Sequence, residues 1–168
     1  MNKKIKKILS KKNKSKIVSL TAYSKQIAKI IDNYCDIVLV GDSMANVLYG
    51  MNNTHNVTLN NMIQHAQSVK KGIKKSLLIV DMPKNSYSNI KKAEKNAKLI
   101  LKKTKCDAIK LESNNKNFNI IEKLVKKRIP VMGHIGYTPQ FKKKFKTEGN
   151  TSKEITKLVK EALWIQKS

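Results

Sequence analysis

Apolar residues recur along this chain on two periods. Five short β-branched runs, at residues 16–21, 36–40, 77–80, 108–111 and 130–133, read as strands. Between and after them, residues 24–33, 59–71, 89–103, 117–127 and 152–166 place apolar side chains at helical spacing on otherwise polar stretches. That alternation predicts parallel strands, because a parallel neighbour is reached only by a crossover, usually a helix.

Local signals support the phasing. Thr58 and Ser88 stand where a side-chain oxygen can accept from a first-turn N–H. Thr151-Ser152-Lys153-Glu154 reads as a capping box opening the last helix, whose apolar positions are Ile155, Leu158, Ala162 and Ile165. The chain thus holds about five βα units where a closed (β/α)8 barrel has eight. An open, doubly wound five-stranded sheet is the alternative that the pattern leaves standing. Two connections exceed ordinary βα loop length, residues 44–57 and 133–150, and long loops at that end of a sheet shape ligand sites. The second carries FKKKFK, residues 141–146, the best basic-aromatic cluster in the chain, set against a plain solvated lysine loop.

Composition changes this picture little. At 168 residues and 40% hydrophobic content the chain fits one domain with a real core, here residues 16–168 behind a basic leader at 1–15. Lys and Arg number 36 against 11 Asp and Glu, a net charge of +25, which raises the prospect of a nucleic acid or other polyanion. Arg128 is the single arginine, and no segment pairs a basic stripe with stacking aromatics, which argues against nucleic acid. Enrichment in lysine, asparagine and isoleucine is also what drift toward A/T-rich codons produces. Cys35 and Cys106 are too few for a disulfide framework or a zinc cage and read as core-edge thiols. The leader lacks an apolar stretch of signal-peptide length, and nothing approaches a membrane span, so a soluble cytoplasmic protein is expected.

The scarce acids are the informative residues. Asp42, Asp81 and Glu112 each close an apolar run, in LVGDS, LLIVDMP and AIKLES, and a parallel βα array gathers strand ends at one mouth. Three carboxylates there suit a hard cation such as magnesium, although each alone could cap a turn or helix. Lys110 lies two residues before Glu112, so on a strand both face the same side, and a lysine there calls for an internal ion pair or a substrate carboxylate. His134 follows the fifth strand as a possible hydrogen-bond donor or proton carrier, or as a histidine tied to loop backbone. His55 and His65 do not have metal-motif spacing. Gly133, Gly136, Pro139 and Gln140 mark a turn-rich loop without a phosphate-binding fingerprint.

In order, KIVSLTAYS, DIVLVGDSMANVLYG, NVTLNNMIQHAQSVKKG, LLIVDMP, AIKLES and IPVMGHIGYTPQ resemble the ketopantoate hydroxymethyltransferase family over residues 16–140. The resemblance implies a TIM (β/α)8 barrel, here incomplete and C-terminally shortened. The implied enzyme binds Mg2+ and moves a one-carbon unit from 5,10-methylenetetrahydrofolate to 3-methyl-2-oxobutanoate, giving 2-dehydropantoate in pantothenate biosynthesis. It further implies Asp42, Asp81 and Glu112 at the metal, Asp42, Ser43, Asp81 and Lys110 at the α-keto acid, and a homo-oligomer. The family's general base, a glutamate on the next strand, is expected to lie beyond residue 168. Departures are Ser24 for the Asp after TAY, Lys84 for the Phe of DMPF, Ser113 for the Gly after KLE, and KKKFKTEGN for a GGYKVQGR-like loop. An inactive remnant of that enzyme and a lysine-rich polyanion binder are the competing expectations.

Overall fold

The computed structural model describes residues 2–113, 117–142 and 146–168. Its strands β1 (Ser19–Thr21), β2 (Ile37–Val40), β3 (Leu77–Asp81), β4 (Ala108–Glu112) and β5 (Val131–His134) form one parallel sheet in the order β1-β2-β3-β4-β5. Helices α2 (Lys25–Ile31), α4 (Leu59–Lys70), α5 (Ile90–Thr104), α6 (Phe118–Lys126) and α7 (Ser152–Lys167) follow successive strands. Each strand pairs with its predecessor in sequence, which excludes the doubly wound alternative, because that topology reverses strand order partway along the sheet. The sheet is a run of five consecutive barrel units, with the barrel incomplete.

Two helices were not expected. α1 (Lys3–Ser10) lies within the basic leader, capped by the Asn2 side chain, and α3 (Met44–Val47) occupies the start of the long segment after β2. Ile5 and Ile8 of α1 pack on Ile37, Leu77, Ile79 and Ala108, so the helix covers the lower end of the sheet's inner face. The outer face carries the larger core, where Val38, Val40, Leu78, Val80, Ile109 and Leu111 meet Ala28, Met62, Ala66, Val69, Ala97, Ile100 and Leu124 from the helices. Burial on both faces explains why β3 reads as an unbroken apolar run.

Period-two geometry turns the inner face into a ladder of changing chemistry. Ile37 pairs with Leu77, Leu39 with Ile79, and Ile79 with Ala108, and one step higher Asp81 pairs with Lys110. Above them Glu112 pairs with His134. The face is apolar at the bottom and ionisable at the mouth.

The expected caps are partly revised. Thr58 forms a capping box with Asn61, and Thr151 caps α7 through the Glu154 N–H, while the Glu154 carboxylate accepts from the Asn150 N–H. The cap of α5 is Asn89 rather than Ser88, because the helix begins one residue later than the pattern suggests. On α7 the expected stripe packs weakly: Ile155 is exposed and Glu161 is the buried residue. Cys35 and Cys106 are free thiols at the edge of the core. Among the described residues no helix is long and apolar enough to cross a membrane. Of the FKKKFK cluster, Lys143, Lys144 and Phe145 lie outside the described residues.

Candidate active site

Strand ends deliver four of the five principal candidates to the mouth, and a tight turn delivers the fifth. Asp81 ends β3, Glu112 ends β4, His134 ends β5, and Lys110 stands one inward position below Glu112. Asp42 follows β2 after Gly41, where a Cβ would sit 2.9 Å from Ser43 Oγ and 3.5 Å from Asp81 Oδ2. Glycine there lets the turn fold against the neighbouring strand's carboxylate, and the Asp42 N–H donates to Asp81 Oδ2 at 3.2 Å.

The three carboxylates are nearly sealed from water, at 5% exposure for Asp42, 3% for Asp81 and 2% for Glu112. Lys110 Nζ donates to Asp81 Oδ1 at 2.7 Å, an ion pair within the barrel interior. One ammonium does not balance three carboxylates. Burial raises the pKa of Asp42 and Asp81, with Lys110 opposing the rise in both. Glu112 is pushed up to about 8 by burial and by the charges of Asp42 and Asp81, against the Gln140 N–H and Lys110. His134 is pushed down to about 4 by burial, then by Lys110 and Lys142, so its ring is neutral at pH 7. Its Nδ1 lies 3.9 Å from Glu112 Oε1, beyond hydrogen-bond reach.

Gln140, which the sequence places only in a turn-rich loop, reaches the carboxylates. Its backbone N–H donates to Glu112 Oε2 at 3.0 Å, and its side-chain Nε2 donates to Asp42 Oδ2 at 2.8 Å and to the Met82 carbonyl at 3.0 Å. Burial pushes the Tyr87 hydroxyl's pKa well up, so it stays protonated and donates to Gln140 Oε1. That bond fixes the amide with its NH2 toward Asp42. Ser43 Oγ meets the Tyr23 hydroxyl at 2.8 Å, and Thr54 and His55, from the long segment after β2, lie beside Asp42. Among the described residues no three His, Cys, Asp or Glu side chains form a ready metal cage, and Gln140 stands between Asp42 and Glu112. His65 is engaged elsewhere, between the Tyr23 carbonyl and the Tyr49 hydroxyl.

Size does not single out this mouth. A cavity of about 790 Å³ lies between α6 and α7 beside stacked Phe118 and Trp164, yet it gathers none of Asp42, Asp81 and Glu112. Chemistry, rather than volume, places the candidate site at the strand ends.

Comparison with known proteins agrees with this architecture. Among solved structures, a phosphonopyruvate hydrolase superposes with a TM-score of 0.64 at 11% identity, covering 79% of this chain and 52% of that one. A 2,3-dimethylmalate lyase of the PEP mutase/isocitrate lyase superfamily gives 0.59 at 15% identity, over 79% and 52%. At such identities the likeness speaks to the barrel fold. Among curated sequences, a 3-methyl-2-oxobutanoate hydroxymethyltransferase of Pelagibacter ubique is 59% identical over 149 residues, covering 89% of this chain and 58% of the relative. The same-named protein of Rhizobium etli is 42% identical over 160 residues, covering 93% and 59%. The chain therefore spans a little under three fifths of the length of these relatives. The profile described as Ketopantoate hydroxymethyltransferase matches residues 2–168, and with that match the chain belongs to the ketopantoate hydroxymethyltransferase family.

Proposed function

We propose that this chain carries the keto-acid and metal side of a 3-methyl-2-oxobutanoate hydroxymethyltransferase, which passes a one-carbon unit from 5,10-methylenetetrahydrofolate to the keto acid. The observation that carries the reading is the meeting of Asp42, Asp81 and Glu112 at one barrel mouth, with Lys110 paired to Asp81 among them. Desolvated oxygen donors in excess of local positive charge are the donor set that Mg2+ favours. In this reading Asp42, Asp81 and Glu112 hold the ion, which when bound supplies positive charge to an enolate oxygen. Lys110 and Ser43 orient the keto acid, with Lys110 facing its carboxylate from beside Asp81. Gln140 yields Asp42 and Glu112 when a ligand enters, since both carboxylates are engaged by it in this state. His134, neutral at pH 7, can accept or donate one hydrogen bond beside Glu112. The base that takes the C3 proton is assigned to none of the described residues.

Calorimetric titration of 3-methyl-2-oxobutanoate into the chain, with MgCl2 or with EDTA, tests this reading. Saturable binding is expected with magnesium alone, weakened at least tenfold by Asp42→Asn. Binding that is indifferent to EDTA or to that substitution would overturn it.

A further inference from the structure

At the opposite end of the sheet, α1, the lead-in to β1, the α2–β2 turn and the start of β3 enclose a second cavity of about 300 Å³. Five lysines line it: Lys4, Lys7, Lys11, Lys16 and Lys75. Its two acids are already engaged. Asp32 resists burial by accepting from the backbone N–H groups of Ser76, Lys75 and Lys74, which hold its carboxyl below the usual range. Asp36 takes Lys11 at 2.6 Å and the Val18 N–H at 3.0 Å. Lys4 donates to the Ser76 carbonyl and Lys75 to Asn33 Oδ1. Among the described residues the side chains of Lys7 and Lys16 make no hydrogen bond or close ion pair, although the Lys7 charge acts on Asp36 from farther away.

From this arrangement we infer a binding site for a compact, multiply charged phosphoryl anion, of the size of a diphosphate group on a small molecule. Lysine abounds in this chain, so basic charge alone distinguishes nothing. What distinguishes this place is concavity, convergence of four chain segments, and five lysines against two acids that already hold partners of their own. Ammonium groups bind phosphate as mobile point charges, and a concave, low-dielectric wall concentrates their field. The cavity opens at the strands' N-terminal ends, so its occupancy is independent of the carboxylate mouth and of the function proposed there.

The test is titration of inorganic pyrophosphate into the full chain at fixed ionic strength, followed by calorimetry. One saturable site is expected, weakened about tenfold or more by Lys7→Gln with Lys16→Gln. The equal change in charge on the exposed face of α5, Lys91→Gln with Lys92→Gln, leaves it intact. Circular dichroism confirms that both double variants fold, as exposed residues without partners allow. Absence of a saturable site, equal weakening by both pairs, or displacement by an oligonucleotide whose affinity both pairs reduce alike would each overturn the inference, since each reduces the site to general attraction between lysine and phosphate.

Discussion

Glu112 closes β4 with its carboxyl buried within reach of the charges of two other acids, and that position has a measurable cost. Its pKa is about 8 in the fold against an ordinary 4.5, so between those values the native state keeps a proton that the unfolded chain has released. Stability is therefore greatest below the lower value and is lost as pH rises through the higher one. The raised Asp42 and Asp81 act in the same direction. His134, depressed from 6.5 to about 4, acts oppositely, but above pH 6.5 only about 0.4 kcal/mol of its effect remains. Urea denaturation in metal-free buffer at pH 6.5 and 8.5 separates the two. Wild type should lose about 1 kcal/mol or more over that interval, and Glu112→Gln should lose clearly less. An equal loss in both would place the titration elsewhere. That Asp42, Asp81 and Glu112 meet at one mouth was legible in the sequence because acids are rare in this chain and these acids end apolar runs, and Lys110 was placed beside them by its spacing from Glu112. Gln140 was not, since an uncharged amide 98 residues from Asp42 carries no pattern, and only the fold reveals what it touches.

At the scale of elements, helices and strands were readable wherever burial imposes a period, and missed where it does not. α1 has only Ile5 and Ile8 to mark an inner side among lysines, and α3 spans a single turn. β1 is shorter than its apolar run because Ile17 and Val18 lie outside the ladder, which begins at Ser19. Close approach between elements left its own trace in Gly72. It follows α4 where a Cβ would lie 2.5 Å from the Lys25 carbonyl and 2.9 Å from the Ala28 Cβ, so α2 and α4 pack this tightly only over a bare backbone. Gly72→Ala should destabilise by about 2–3 kcal/mol, because backbone has to move. Gly50→Ala is the comparison: its φ of +62° strains any side chain, but nothing lies within 4 Å, and a loss of about 1 kcal/mol is expected. Denaturation midpoints of the two variants check the order, and the reverse order would discount the helix contact.

Across the whole molecule, apolar exposure marks both flanks of the sheet as well as the segment after β2 from Val47 to Met51. β1 and its lead-in expose Ile17, Val18 and Leu20, and α2 exposes Ile27 and Ile30. At the other flank Met132 on β5 and Ile155, Val159 and Leu163 on α7 are exposed. Among the described residues neither β1 nor β5 has a second strand partner, and open apolar edges invite pairing with another chain. Sedimentation velocity should show association that grows with concentration and falls in Val18→Lys with Leu20→Lys. A wild-type chain that stays monomeric throughout would show these flanks to be inert. The sheet order has a temporal side as well. Because every strand lies next to the one before it, spatial order along the sheet is also the order of emergence from the ribosome. Each new βα unit meets a neighbour already made, no gap waits for a later strand, and the nascent sheet extends in one direction only. The carboxylate mouth accrues on the same schedule: Asp42 and Asp81 arrive first, the lysine that steadies them follows on β4, and Gln140 is the last of the group to reach its partners.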